Sequence, residues 1–381
     1  MANREDPWLL TPGPLTTSTE TKKAMLRDYG SRDSAFVEMN TRIRERLLKI
    51  ARVADTHVCV PVQGSGTFAV EATLGTLIPK DSKTLVLING AYGTRIAKIL
   101  DYLGRARECL ETPEYVPVNV KTLAAKLSES PDITYVVAVH CETTAGILNP
   151  IEGIAQTVAD HGRLLIIDAM SSFGAIELAP EQVPYDAVIA SANKCLEGVP
   201  GMGFALIRES LLTTCKGNAH SLSLDLYDQW QALESNGQWR FTPPTHVIAA
   251  FDQALNEFEA AGGIAGRYAR YRVNCDTLLA GLRTLGFQTL LPDALQAPII
   301  VTILTPDDPN FEFTEFYDRL NYKGFAIYPG KLTEVESFRI GCIGRLDSEV
   351  IKEALAAIET VLADMGITNC RPEKSETAIA S

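Results

Sequence analysis

Six short runs of aliphatic and β-branched residues punctuate this chain, at 57–60, 84–88, 135–139, 164–167, 187–189 and 203–207. Stretches with helical spacing, at 67–77, 93–103, 120–127 and 151–161, separate most of them. Apolar runs without polar alternation are strands covered on both faces. Their alternation with helices predicts an α/β fold built on a mostly parallel sheet between helices. The run at 203–207 follows its neighbour after only a loop, too short for a helical crossover. It is expected to run antiparallel or to leave the sheet edge.

Beyond this region the pattern changes. Residues 221–244 show little periodicity and hold Trp230, Trp239, Phe241 and Thr242. A long helical region follows over 245–285, broken near Gly262 and Gly263. Strand-like runs at 299–304, 325–328 and 338–340 and a helix over 348–365 predict a smaller C-terminal α+β unit with its own sheet. The tail from Thr368, rich in Glu, Lys, Ser and Ala, is expected to be disordered.

Bulk properties exclude several classes. The 381 residues are 46% apolar and 22% charged, values of an ordinary globular protein. A net charge of −12 argues against a nucleic-acid surface or an anionic membrane as partner. The N-terminal residues lack a basic segment followed by an apolar core, so no signal peptide is expected. No apolar run approaches the ~20 residues of a membrane span. The eight cysteines (59, 109, 141, 195, 215, 275, 342, 370) form no CxxC pair and read as buried, reduced thiols of a cytoplasmic protein. The five histidines are equally dispersed, which argues against a metal site.

Three weak signals carry chemistry. Gln63-Gly-Ser-Gly-Thr67 opens an apolar helix. Its small residues let the helix start approach a phosphate, and Ser65 and Thr67 can add hydrogen bonds. The plain alternative is a tight capped turn. Asp168 ends an apolar run, at the strand end where open α/β sheets place ligands. A carboxylate there can pair with a protonated pyridine nitrogen, or simply cap the next segment. Lys194 follows a strand in a loop of small residues, Ser191-Ala-Asn-Lys-Cys-Leu-Glu-Gly198. A lysine needs partial burial to react with a carbonyl, whereas an exposed loop lysine is the default. In this order, at strand ends, the three are the parts needed to hold pyridoxal 5'-phosphate.

The segments LLTPGPLTTS (9–18), QGSGTFAVEA (63–72), NGAYGTR (89–95), HCETTAGILNP (140–150), IIDAMSSFGA (166–175), SANKCLEGVPG (191–201) and FRIG (338–341) resemble the class V branch of fold-type I pyridoxal-phosphate aminotransferases. They span nearly the whole chain except the tail. The resemblance implies a seven-stranded sheet in a large domain over 15–250. It implies a small domain made of 1–14 with 251–366, and leaves 367–381 as the tail. Lys194 is implied to hold the cofactor covalently and then to act as base and acid, and Asp168 to pair with the ring nitrogen. Ser65, Gly66 and Thr67 are implied to hold the phosphate, Tyr92 to stack on the ring and Thr143 to lie near the ring hydroxyl. Arg339 is implied to bind the substrate's acidic group. Trp239 and Thr242 are implied to reach the cofactor phosphate of a neighbouring subunit, which makes the expected homodimer share its active sites. The segments at 9–18, 140–150 and 191–201 favour members that pass the amino group of 2-aminoethylphosphonate to pyruvate.

Each residue has a plainer alternative. Tyr92 and Trp239 could be core or interface aromatics, Thr143 a turn residue and Arg339 a surface ion-pair partner. An aminotransferase using serine or alanine with glyoxylate shares every cofactor role and differs only in the donor pocket. A cysteine desulfurase usually carries histidines where Asn193 and Tyr92 stand here. A non-catalytic pyridoxal-phosphate protein would be expected to lack Lys194 or Arg339. In the segment 28–33, Tyr29 and Arg32 stand where relatives commonly carry tryptophan. Arg32 is therefore a candidate for extra positive charge toward a phosphonate.

Overall fold

A computed structural model of the chain describes residues 6–332 and 335–372. Its main sheet has seven strands: β1 (His57–Gly64), β2 (Lys83–Ile88), β3 (Ala106–Glu111), β4 (Ile133–Val139), β5 (Leu164–Asp168), β6 (Ala187–Ser191) and β7 (Gly201–Arg208). They lie in the order β1-β7-β6-β5-β4-β2-β3. Strands β2 to β6 pair in parallel, whereas β7 runs antiparallel to both neighbours, β6 and β1. The antiparallel reading of 203–207 holds, but the strand does not leave the edge. It fills the gap between β1 and β6, where residues on both of its faces are buried.

Helices cover the two faces: α1 (Ser34–Ile50), α2 (Gly66–Leu77), α3 (Ala91–Tyr102), α4 (Val120–Glu129), α5 (Ile151–Asp160), α6 (Leu226–Asn236) and α7 (Thr245–Ala260). One core joins α1, α4, α5 and α7 to one face of the sheet, and a second joins α2, α3 and α6 to the other. Strand β3 has no counterpart among the six apolar runs. It lies at the sheet edge with both ends exposed, so Arg107 and Glu108 sit within it at little cost. Helix α6 lies in the segment 221–244, which lacked evident periodicity. Only Leu226, Gln229, Trp230 and Leu233 are buried, and caps set its ends. Asp225 accepts from Asp228 N at 3.1 Å, and Gly237 closes the helix at φ 72°.

Helix α8 (Gly263–Thr284) follows a break at Gly262 (φ 89°), as the glycine pair predicts. With α9 (Phe313–Tyr322) and α10 (Ser348–Asp364) it packs on a three-stranded antiparallel sheet of β8 (Ile300–Leu304), β9 (Tyr328–Pro329) and β10 (Ser337–Gly341). The run predicted at 325–328 is divided between two sheets. Phe325–Ala326 pairs in parallel with Trp8–Leu9, so the N-terminal segment joins the core of this smaller unit, and Tyr328 pairs with Arg339. The expectation of disorder fails for Thr368–Pro372. Thr368 N and Asn369 N donate to Asp308 Oδ2 at 3.0 and 3.1 Å, and Cys370 is buried. The rest of that tail, 373–381, lies outside the described residues.

All eight cysteines are free thiols, and only Cys109 is not buried. Among the described residues no helix is long and apolar enough to cross a membrane.

Candidate active site

The strand ends set the site. β5 closes on Asp168, β6 closes three residues before Lys194, and β1 delivers Gly64 into the start of α2. The sheet order brings these ends to one edge, around a cavity of about 450 Å³. Ser65, Gly66, Thr67, Tyr92, Asp168 and Lys194 all line it. Six residues assigned from sequence thus converge from positions more than 100 apart in the chain.

Lys194 is half-buried, and Nζ donates to Pro12 O at 2.7 Å. Burial lowers its pKa below the usual lysine range, against the opposing pull of Tyr92, Cys195 and Asp168. The N-terminal segment closes tightly on it. A Cβ at Gly13, where φ is +133°, would stand 2.8 Å from Lys194 Nζ. Only glycine meets both demands at that point.

Asp168 is 5% exposed. Burial raises its carboxyl to about 6, although the Met170 N–H, donating to Oδ1 at 2.9 Å, and the Lys194 and Arg95 cations pull it down. A buried carboxylate in this state calls for a further cation. At the start of α2, Ser65 occupies the cap position in extended backbone, and its hydroxyl makes no capping bond. The N–H groups of Gly66 and Thr67, at the first two helical positions, have no intrahelical acceptor and face an anion favourably, whereas Phe68 N donates to Ser65 O at 2.9 Å. A Cβ at Gly66 would fall 2.4 Å from Met170 Sδ, so glycine lets the helix start close on the Asp168 loop. Arg95 Nη1 donates to Thr67 Oγ1 at 3.3 Å and adds positive charge there. The buried Ser191 hydroxyl, also on the cavity, has no hydrogen-bond partner. A phosphate-bearing pyridine ring fits this set: donors at one end, a carboxylate in need of a cation, and an amine between.

Arg339 and Thr143, also assigned from sequence, are not among the residues that line this cavity and adjoin it through Tyr92. Arg339 is 1% exposed, with Nε donating to Pro329 O at 3.0 Å and Nη1 to Thr143 O at 2.8 Å. Burial lowers its pKa, while Tyr92, Tyr328 and Glu142 act to raise it. The Thr143 hydroxyl lies beside the Tyr92 phenol but makes no hydrogen bond of good geometry. Burial pushes the Tyr92 phenol up. Lys194, Thr143 and Lys331 together outweigh it and hold the phenol below its usual value.

Glu142 joins the two groups. Its fully buried carboxylate accepts from Tyr92 N and Gly93 N at 3.2 and 3.3 Å, and from Thr144 N and Oγ1 at 3.1 and 2.7 Å. The sequence reading missed Glu142, Met170, Ser191, Arg95 and Lys331. A carboxylate inside His140-Cys-Glu-Thr-Thr144, and a serine ending an apolar strand, were the available signals.

Trp239 and Thr242 are not in this cavity. With Arg32 they line a separate surface groove, Trp239 Nε1 donating to Asn40 Oδ1 at 2.8 Å. Within one chain, therefore, Arg32 does not share the cavity with Lys194 and Tyr92.

The Lys194 loop is anchored by a buried ion cluster. Glu197, with a left-handed φ of 58°, pairs with Arg267 and Arg270 of α8 and accepts from Tyr271 Oη at 2.6 Å. Burial acts to raise its carboxyl, but the two guanidinium groups prevail and lower it. Glu197→Gln keeps the shape and leaves two arginines without their carboxylate. It is expected to cost about 3–5 kcal/mol of stability, read from the urea midpoint. An unchanged midpoint would show that the cluster contributes nothing net.

The aminotransferase class-V family matches residues 18–326, and the chain belongs to that family. Its fold is that of the fold-type I aminotransferases. The pyridoxamine-pyruvate aminotransferase of Mesorhizobium loti superposes with a TM-score of 0.87 at 25% identity, over 95% of this chain and 93% of that one. Two sequence relatives are more similar. The 2-aminoethylphosphonate–pyruvate transaminase of Pseudomonas fluorescens is 53% identical over 95% of this chain and 98% of its own length. That of Pseudomonas aeruginosa is 54% identical over 95% of this chain and 97% of its own.

Proposed function

We infer that this enzyme transfers the amino group of 2-aminoethylphosphonate to pyruvate, giving phosphonoacetaldehyde and L-alanine, with pyridoxal 5'-phosphate as cofactor. The observation that carries the substrate assignment is the 53% identity, over nearly full length, to a transaminase named for this donor and acceptor.

Ser65, Gly66 and Thr67 would hold the cofactor phosphate with the start of α2, aided by Ser191 and Arg95. Tyr92 would lie against the ring and Thr143 near its hydroxyl. Asp168 would keep a proton on the ring nitrogen. When bound, pyridoxal phosphate supplies the sink for the electron pair released as a C–H bond beside the substrate nitrogen breaks. Lys194 Nζ would hold the cofactor between turnovers. As a free amine it would take the proton from the carbon bearing nitrogen as a base and give it back as an acid. Burial lowers its pKa, so the neutral amine that can take a proton forms at a lower pH than for a free lysine. Arg339 binds the phosphonate of the donor and then the carboxylate of pyruvate. One guanidinium fork matches either group, which allows one site to serve both halves of a ping-pong cycle.

We further propose a homodimer in which Trp239 and Thr242 complete the phosphate site of the partner. Exposed Phe68, Leu222 and Phe241, at 52%, 73% and 45%, accompany them on the surface and suit such an interface. The eight free cysteines suit a reducing compartment, the cytoplasm.

The test is the absorbance spectrum of the purified holoenzyme, before and after 2-aminoethylphosphonate is added without pyruvate. Conversion of the yellow form by the phosphonate, and far less by L-serine or glycine, is the expected result. The reverse preference would transfer the donor assignment to the serine or alanine class of the same family.

A further inference from the structure

The two substrates differ in the charge of the acidic group they carry on or next to the reacting carbon. Pyruvate ends in a monoanionic carboxylate, whereas the phosphonate of the donor loses a second proton near neutrality. Arg339 supplies one positive charge, and two carbonyls already engage its Nε and Nη1. A site that favours the dianion needs a second cation within reach of the same group. Arg32, a candidate from sequence, lies in the other groove.

Lys331 meets the requirement. It follows β9, one strand of the sheet that also carries Arg339 on β10. Tyr328 is the register partner of Arg339, and Pro329, whose carbonyl accepts from Arg339 Nε, lies two residues before Lys331. Gly330 fixes where the chain turns toward the site. Its N–H donates to Ser337 O at 2.9 Å, and a Cβ there would stand 2.3 Å from that oxygen. Lys331 Nζ then reaches Tyr92. It donates to the phenol oxygen at 3.3 Å and lies 4.7 Å from the ring centroid. Tyr92 lines the Lys194 cavity and interacts electrostatically with Arg339. Lys331 itself is exposed, so its ammonium keeps its mobility and can change partner.

Resting on the functional reading above, we propose that Lys331 determines donor specificity: its ammonium leaves the Tyr92 phenol to pair with the second negative charge of the donor's phosphonate, beside Arg339. The compact ammonium can pair with any oxygen of the tetrahedral phosphonate, and the planar fork of Arg339 serves either acid. Pyruvate and L-alanine, with one charge to offer, need only Arg339. The lysine thus separates the two halves of the cycle by charge without altering the reacting centre.

The test compares Lys331→Gln and Lys331→Arg with wild-type holoenzyme. Loss of one charge-assisted hydrogen bond predicts a KM for 2-aminoethylphosphonate raised roughly 10- to 100-fold in the Gln variant, with kcat changed by less than about threefold. With L-alanine as donor, KM is expected to stay within about twofold, and the Arg variant to recover most of the loss with the phosphonate. Calorimetric binding of ethylphosphonate, which lacks the amine and cannot react, should weaken in parallel in the Gln variant, whereas propionate binding should not. Equal losses for phosphonate and L-alanine would overturn the proposal, as would no loss for either. A wild-type enzyme that turns over L-alanine but not 2-aminoethylphosphonate would overturn the functional reading itself, and this proposal with it.

Discussion

Lys194→Ala is expected to lose turnover by about 10⁴-fold or more, since both the covalent hold and the proton transfer depend on one amine. The variant should fold, because Lys194 Nζ makes one hydrogen bond, to Pro12 O at 2.7 Å, and the loop is held by Glu197 instead. Borohydride treatment should fix pyridoxal phosphate onto Lys194 in the wild type, read by peptide mass, and onto no residue in the variant. Burial lowers the lysine pKa, so the neutral amine is present at a lower pH than for a free lysine. Capture of pyridoxal phosphate by the apoprotein should accordingly rise with pH and reach its midpoint below the ordinary lysine range. A variant that still turns over within about a hundredfold of wild type would move the proton transfer to another group.

Much of this site was legible because its parts sit at strand ends. Apolar runs located β1, β5 and β6, and the polar residue closing or following each is the one that lines the cavity. What sequence could not supply was convergence. Nothing in the spacing of Asp168 and Lys194 says that β6 pairs with β5, or that β7 inserts between β6 and β1. The resemblance to a known family supplied that step, and the sheet order accounts for it physically.

Other features were hidden for definable reasons. Strand β3 carries charge because only an edge tolerates it, and α6 is held by its caps and four buried residues rather than by an apolar stripe. Glu142 reads as an ordinary acidic residue until its four donors are seen, all from backbone or hydroxyl groups that a sequence does not distinguish. Lys331 lies in a turn whose course depends on the contact between Gly330 and Ser337. Thr242 has the converse history. The resemblance singled it out, yet in one chain it is an exposed surface residue whose proposed role requires a partner.

Asp168→Asn should separate stability from activity. The amide oxygen can still accept from Met170 N, a bond of 2.9 Å in the native protein, so the local structure is kept. In the apoprotein the carboxyl titrates at about 6, above the ~3.9 of an unfolded chain. The native state therefore binds this proton more tightly, and the group's contribution to stability falls as pH rises from about 4 through about 6. Above that window the buried charge carries its full cost, at most about 3 kcal/mol for a difference near two pH units. The Asn variant escapes it. Apo Asp168→Asn is expected to be more stable than apo wild type by about 1–3 kcal/mol at about pH 8, and the advantage should shrink toward about pH 5. Urea unfolding at the two pH values measures this. Binding the cofactor reverses the order, because a protonated ring nitrogen compensates the carboxylate and not the amide. Pyridoxal phosphate should stabilise the wild type more than the variant, and turnover of the variant should fall by roughly 10²- to 10³-fold, the worth of a preorganised charge at a reacting centre. An apo variant no more stable at either pH would place the cost of burial elsewhere. Turnover kept within about tenfold would show that the ring nitrogen needs no proton held on it. The expected pair of results would show that this fold accepts a buried charge in the apoprotein so that the charge is in place when the cofactor binds.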